Sequence, residues 1–220
     1  MNKLVFLEPN RIDSEPFTTS DIIAECAKVK HHAIQQIISK HEDDLKEFGK
    51  VAFEMRASET SKTNQSKKLY HLNEQQATLL VTYLKNTEPV RAFKKALVKE
   101  FYAMRAELLK RQTYRLELKP IRREMTDVIQ EVDESKWAYK KYTDLAYKSS
   151  TGRNAAQMRK ERNADKKAIA IDYMTADEIN AVSKAQNQIS VLLEMGMDYE
   201  QVRLMMLNRK FVGAVAGKIA

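Results

Sequence analysis

The stretch TTSDIIAECAKVKHHAIQQIISK, residues 18–40, decides the predicted fold of the N-terminal part of the chain. A first helix begins after an N-cap at Thr19 or Ser20, since both side chains can accept a hydrogen bond from the first helical turn. Its apolar face consists of Ile22, Ile23 and Cys26. Residues 28–30 break this pattern, and a second helix begins at His31. The stretch therefore predicts two helices joined by a short turn.

The second helix has one apolar side and one polar side. Apolar or partly apolar residues recur at spacings of three and four, at Ile34, Ile37, Ile38, His41, Leu45 and Phe48. Gly49 ends the predicted helix. The opposite side consists of His32, Gln35, Gln36, Ser39 and Asp43. This side is polar, and we expect it to be free of the protein interior.

Two predicted strands follow the helix pair. Residues 51–56 and 68–72 are strand candidates, the polar residues between them are typical of an exposed loop, and residues 4–7 form another candidate strand. The order strand, helix, helix, hairpin, helix is that of a winged helix-turn-helix. In that motif the second helix enters the major groove of DNA and the hairpin tip approaches the backbone or minor groove. The same order also occurs as a purely structural arrangement, and this alternative stays open.

A long basic helix is predicted after the hairpin. Asn73 and Gln76 form the capping box of a third helix, and Thr87 caps a fourth with Pro89 in its first turn. The buried stripe of the fourth helix is Phe93, Leu97, Phe101, Met104 and Leu108. Basic residues lie almost opposite that stripe, at Arg91, Lys95, Lys99 and Lys110. Residues 85–115 include nine basic and three acidic residues, so this helix holds much of the excess positive charge.

The length of 220 residues suits two domains. Pro120 disfavours helical geometry in the residue before it, which places the predicted boundary after Leu118. We expect a winged helix-turn-helix domain with the long helix over residues 1–118. Residues 119–220 are expected to form an all-α domain for oligomerisation or partner binding. The predicted fold class is thus mainly α, with a small β-hairpin wing.

Charge and cysteine content limit the classes of function. A net charge of +8 would draw the protein towards polyanions such as nucleic acid or an anionic membrane surface. The single cysteine, Cys26, cannot form an internal disulfide, which is compatible with a reducing compartment. The first apolar run ends at Glu8 and Pro9, too early for a signal peptide or a membrane span. We therefore expect a cytosolic protein without membrane contact.

The predicted DNA-binding residues fall into three groups. We predict that the polar side of the second helix contacts base edges, because its side chains can hydrogen-bond to bases. These residues are His32, Gln35, Gln36 and Ser39. Lysines at the two ends of that surface are predicted to bind backbone phosphates, and they are Lys28, Lys30, Lys62, Lys67 and Lys68. The long basic helix adds Arg91, Lys95 and Lys99. The alternative for each residue is an ordinary solvated surface position.

Neither a metal site nor a catalytic site is predicted. His31 and His32 are adjacent and point about 100° apart on a helix, so they cannot chelate one metal ion together. The sequence has no glycine-rich phosphate loop and no nucleophile motif. We expect no cofactor and no enzymatic activity. Aromatic residues at Trp137, Tyr139, Tyr142 and Tyr147, with the basic residues that follow, suit either single-stranded nucleic acid or a core.

Several segments resemble the phage regulatory protein Rha family of temperate phages and prophages. In the N-terminal half the resemblance rests on the segments TTSDIIAE, FGKVAFEM and LNEQQATLLVTYLKNTEPVRAFKKALVKEFYAMR. In the C-terminal half it rests on the segments YKKYTDLAYKSSTGRNAAQMRKER and EMGMDYEQVRLMM. The resemblance to the family's helix-turn-helix pattern extends to Thr19, Ser20, Ile23, Ala24, Glu25, His31, Ile34 and Ile38. Where many members have glycine in the turn between the helices, this chain has Lys28.

The resemblance implies a transcriptional regulator of phage development in the cytoplasm of the bacterial host. Its layout is similar to that of phage antirepressors, which join exchangeable N- and C-terminal domains. Two hypotheses follow: sequence-specific binding of double-stranded DNA, or an antirepressor that binds a phage repressor protein. We expect a homo-oligomer, in which two recognition helices are spaced along the duplex.

Overall fold

The computed structural model describes residues 3–8, 10–57 and 66–208. Most of these residues are helical, as predicted, and one small antiparallel sheet accompanies the helices. In chain order the strands and helices are β1 (Phe17–Thr19), α1 (Ser20–Ala27), α2 (His31–Lys40), α3 (Glu42–Lys46), β2 (Ala52–Ala57), β3 (Ser66–Asn73), α4 (Glu74–Thr82), α5 (Glu88–Val132), α6 (Ala138–Thr151), α7 (Ala155–Glu161), α8 (Ala176–Glu194) and α9 (Tyr199–Leu207), with a 3-10 helix at Ala170–Tyr173 before α8.

The chain divides into two compact units. Among the described residues, unit 1 comprises 3–8 and 13–106, and unit 2 comprises 10–12 and 107–208. The division falls inside α5, which continues through Pro120 although the sequence predicts that a helix ends there. Leu118 and Met125 are buried on either side of the proline, and this packing offsets the backbone hydrogen bond that proline cannot donate.

The sheet of unit 1 has the strand order β1-β3-β2, and both strand pairs are antiparallel. The predicted hairpin is confirmed, since Phe53 pairs with Tyr70. The predicted strand at residues 4–7 is wrong, because only Phe6 forms an isolated bridge with Phe17. The backbone N–H groups of Leu4 and Val5 donate instead to the Glu100 carboxylate, at 2.8 and 3.0 Å. The Glu100 side chain thus accepts the N–H groups of Leu4 and Val5 in place of a strand partner.

The predicted second helix is divided at His41. The ring of His41 stacks on Tyr83 at 4.0 Å, and its Nδ1 lies 3.2 Å from the Asp44 carboxylate. These contacts hold His41 outside helical geometry, at φ −115° and ψ 29°, so α2 ends at Lys40 and a short α3 follows. Leu45 remains buried in α3, as the apolar spacing predicts.

The core of unit 1 lies between α2, the sheet and α5. Its fully buried members include Ile23, Ile34, Ile38, Leu72, Leu80, Leu97 and Phe101. Asn73 and Gln76 form the predicted capping box of α4. This packing holds α1 and α2 against β3 and leaves the other side of α2 in solvent.

The described residues of unit 2 form helices and the turns that connect them, without a strand. One core cluster includes Met125, Ile129, Tyr142, Ile189 and Val202, and a second includes Leu118, Met158, Ile171 and Ile179. Capping boxes begin α8, at Thr175 and Glu178, and α9, at Asp198 and Gln201. Among the described residues, none of the helices is both long enough and apolar enough to cross a membrane.

Candidate nucleic-acid interface

The turn between α1 and α2 depends on an unusual backbone conformation at Lys28. Lys28 has φ 54° and ψ 43°, in the left-handed region. Its N–H and that of Val29 return to the carbonyls of Glu25 and Ala24, at 3.2 and 2.9 Å, and so close the end of α1. The turn therefore has the geometry that glycine adopts readily, although a lysine occupies it. A non-glycine residue in this region costs about 1–2 kcal/mol.

Ser20 joins three elements at the base of the helix pair. Its side chain is fully buried, and its Oγ accepts a hydrogen bond from the backbone N–H of Tyr70 in β3 at 3.1 Å. The same Oγ lies 2.8 Å from Nε2 of His31, the first residue of α2. Burial lowers the pKa of His31 from its ordinary value; Asp21 acts against this shift and Lys67 adds to it. The lowered pKa favours the neutral ring of His31, and the contact with Ser20 ties the start of α2 to α1.

The polar face of α2 is exposed where the sequence predicts it. Ile34 and Ile38 are buried, while His32, Gln36 and Ser39 are exposed on the other side of the helix. We call these last three residues the α2 face. Lys40 is also exposed and ends the helix beside them. Its position, four residues after Gln36, could have identified it from helical spacing.

Gln35 differs from the α2 face. Its side chain is half-buried, and its Nε2 donates a hydrogen bond to the backbone carbonyl of Lys68 in β3 at 2.7 Å. One amide N–H of Gln35 therefore holds α2 against the hairpin. The sequence places Gln35 with the base-reading residues, and its contact with β3 could not be found from helical spacing alone.

The hairpin adds both cations and exposed apolar side chains. Lys67 is exposed, whereas Lys68 is half-buried with its Nζ 4.0 Å from the ring centre of Phe53 and 4.5 Å from that of Tyr70. Phe53 and Met55 remain 54% and 58% exposed on β2. Lys62 lies outside the described residues.

The remaining predicted cations are exposed at two places. Lys28 and Lys30 flank the turn before α2. Arg91, Lys95 and Lys99 lie on α5, where Arg91 donates to the carbonyl of Asn86 at 2.8 Å. These three side chains form neither a hydrogen bond nor an ion pair with α2 in the described part of the chain. The turn between α1 and α2 leads directly into α2, and the hairpin is bonded to α2 through Gln35. The α5 cations lie on a separate element.

Within the described ranges, His, Cys, Asp and Glu side chains form no group of three or more that could hold a metal ion. Cys26 is a free thiol whose pKa is raised by burial and by the nearby carboxylates of Glu25 and Glu100. A raised pKa lowers the thiolate fraction, which is the reactive form. Neither observation adds a reactive group to the α2 face.

The chain is a mainly helical protein in two units, and the first unit presents a polar helix face beside a β-hairpin. Residues 18–106 match the model of the phage regulatory protein Rha family. The match confirms the resemblance to this family over residues 18–106 and supports a role as a phage regulator. The match ends at the residue where unit 1 ends. A search of curated proteins finds no match.

Proposed function

We propose that unit 1 is a winged helix-turn-helix that binds double-stranded DNA and controls phage development. In this proposal α2 is the recognition helix, and the hairpin of β2 and β3 is the wing. The observation that supports it most is the exposure of the α2 face, opposite buried Ile34 and Ile38 and beside the hairpin that Gln35 contacts. An α-helix with one free polar side fits the major groove.

Each part of the surface then has its own task. Gln36 can form two hydrogen bonds with an adenine edge, and His32 and Ser39 reach neighbouring bases. Lys28 and Lys30 at the turn and Lys67 on the hairpin hold phosphates, which fixes the register of α2 along the groove. Gln35 acts as a positioning residue, because its amide is bonded to the wing. We further expect a homo-oligomer that pairs two recognition helices.

The salt dependence of duplex binding tests the phosphate contacts. Fluorescence anisotropy with a labelled DNA duplex gives the slope of log affinity against log salt concentration. Lys30→Gln or Lys67→Gln should each reduce that slope by about 0.9, the contribution of one released counterion. Lys184→Gln, at an exposed lysine of α8, is the matched control and should leave the slope unchanged. Equal slopes for all four proteins would refute this placement of the duplex.

A second candidate function is antirepression, in which the protein binds a phage repressor. A groove of about 480 Å³ between α4 and α5 favours it, because its lining includes three exposed apolar side chains, Phe48, Val98 and Tyr102. Exposed apolar surface of this kind often marks a protein-binding site. Affinity purification from a lysogen, with and without nuclease, distinguishes the two functions. A repressor retained after nuclease treatment supports antirepression, and nuclease-sensitive DNA supports direct binding.

A further inference from the structure

Unit 2 has a surface groove that the proposed DNA-binding face does not use. The groove has a volume of about 530 Å³ and is lined mainly by α6 and α9. Trp137 stands at the N-cap of α6 and Tyr199 begins α9. We call this feature the Trp137 groove. Four cationic side chains and one carboxylate, Asp144, belong to its lining.

Aromatic rings of different exposure define the groove. Trp137 is 64% exposed, although it is the largest side chain that the chain contains and its only tryptophan. Tyr199 is half-buried and is held edge-on against the buried ring of Tyr142, with ring centres 5.2 Å apart. Tyr199 thus forms a fixed wall, whereas the indole of Trp137 keeps apolar surface open to solvent.

The structure divides the aromatic cluster of residues 137–147 between the core and the surface. Tyr142 and Tyr147 are buried and belong to the cores of unit 2. Arg153 and Arg162 both contact the Glu178 carboxylate, at 3.2 and 3.0 Å, so they stabilise the start of α8. Trp137 is the member of the cluster that lies in the groove, and the cations beside it come from α6 and α9.

The cations of the groove differ in how strongly they are engaged. Lys141 is ion-paired with Asp133 and lies over the Tyr199 ring, at 4.7 Å from its centre. Lys140 bonds to Asp144, and Arg203 bonds to Glu200. Lys148 is exposed and pairs with no carboxylate of the described residues. It follows Trp137 by three helical turns, about 16 Å along α6 and on nearly the same side.

We propose that the Trp137 groove binds single-stranded nucleic acid. An unpaired base stacks on the indole of Trp137, and a backbone phosphate further along the strand contacts Lys148. Stacking on an exposed indole needs a free base face, and in a duplex the neighbouring base pairs cover those faces. A poly-glutamate chain could pair with the cations but offers no aromatic ring to stack on the indole, which Lys136 approaches at 5.6 Å from its centre. A strand of several nucleotides spans the length of α6 between the two side chains.

The single tryptophan makes the groove directly observable. Emission excited selectively from Trp137 is followed while an oligothymidylate of about 12 nucleotides, within the usual range of site sizes, is added to the full-length protein. We expect saturable quenching, because a stacked base contacts the fluorophore itself. A poly-glutamate peptide of equal charge should not quench. Unchanged emission with the oligonucleotide, or equal quenching by the peptide, contradicts the proposal.

Two variants separate stacking from charge, with anisotropy of the labelled strand as the measurement. Trp137→Leu should weaken binding by about fivefold or more, the usual effect of losing one stacked base. Lys148→Gln should reduce the salt slope by about 0.7, as expected for one phosphate of a single strand. Lys184→Gln is again the control. Variants that bind the strand as the wild type does would overturn the assignment.

The test is independent of the function proposed for unit 1. Gln36→Ala changes the α2 face and should leave binding of the oligothymidylate unchanged. Trp137→Leu should leave duplex binding unchanged in turn. If single-strand affinity instead falls with Gln36→Ala and not with Trp137→Leu, the strand binds unit 1 and the Trp137 groove has no such role.

Discussion

The side-chain amide of Gln35 donates a hydrogen bond to the backbone carbonyl of Lys68 over 2.7 Å. This bond joins α2 to β3, between residues 33 positions apart in sequence. It fixes the distance between the α2 face and the hairpin at a point where both are close to the surface. The two parts of the proposed DNA-binding surface are therefore connected by a side chain, in addition to their common apolar core.

Gln35→Ala should lower the free energy of unfolding by about 0.5–1.5 kcal/mol, since it removes one hydrogen bond and leaves a carbonyl without this partner. Urea unfolding followed by circular dichroism measures the change. Gln36→Ala, one position further on the exposed side, is the control and should alter stability by less than about 0.5 kcal/mol. Equal losses for the two variants would contradict the positioning role of Gln35.

Ser20→Ala should destabilise unit 1 more strongly, by about 1–3 kcal/mol, because the buried N–H of Tyr70 loses its acceptor. Thermal and urea unfolding both report this change. Ser39→Ala removes the same hydroxyl from an exposed position of α2 and should keep stability within about 0.5 kcal/mol. A Ser20→Ala protein as stable as the wild type would show that Ser20 does not hold α2 and β3 together.

The lowered pKa of His31 predicts how stability depends on pH. The unfolded chain binds a proton near the ordinary pKa of 6.5, whereas the folded protein binds it only at lower pH. Between these two pKa values the unfolded state holds more protons, so stability increases with pH. The stabilisation from neutral His31 is complete above pH 6.5 and is lost as the pH falls towards the folded pKa.

His31→Gln removes the titrating ring and tests this prediction. Urea unfolding between about pH 8 and pH 5 should show a weaker pH dependence for the variant than for the wild type. The other three histidines are present in both proteins, so the difference between the two curves reports His31 alone. Identical pH dependence for both proteins would contradict the lowered pKa of His31 in the folded protein.

Lys28→Gly should have opposite effects on stability and on binding. Glycine adopts positive φ without strain, so we expect a gain of about 1 kcal/mol in the free energy of unfolding. Duplex affinity should fall, because a proposed phosphate contact is lost. Lys28→Ala is the matched control: it removes the same charge, keeps the left-handed strain and should lose affinity without gaining stability. A Lys28→Gly protein that gains no stability would contradict the strain at this turn.

Local signals in the sequence predict much of unit 1 correctly. The α2 face follows from a helical period of three and four, and the capping box at Asn73 follows from two residues three positions apart. Hydrogen bonds between distant residues could not be predicted in this way. The carboxylate of Glu100 accepts the N–H groups of Leu4 and Val5, where the sequence predicts a strand. His41 stacks on Tyr83 at the point where the predicted helix is divided.

Helical periodicity accounts for the exposure of the α2 face but not for every contact beside it. The exposure of His32, Gln36 and Ser39 was correct because burial on one side of a helix depends on local periodicity. The engagement of Gln35 with β3 depends on tertiary packing, which the period does not describe. The left-handed conformation of Lys28 could not be predicted from its residue type, since lysine gives no signal for positive φ. Only the resemblance to family members with glycine at this position indicated it.

The most direct test of the central claim is the sequence preference of duplex binding. A pool of random duplexes is enriched on the wild-type protein, and affinity for the enriched duplex is compared with that for a scrambled duplex of equal length. With Gln36→Ala we expect the preference to fall by about 1–3 kcal/mol, while affinity for the scrambled duplex stays the same. An unchanged preference in the variant, or no enrichment by the wild type, would contradict recognition of bases by α2.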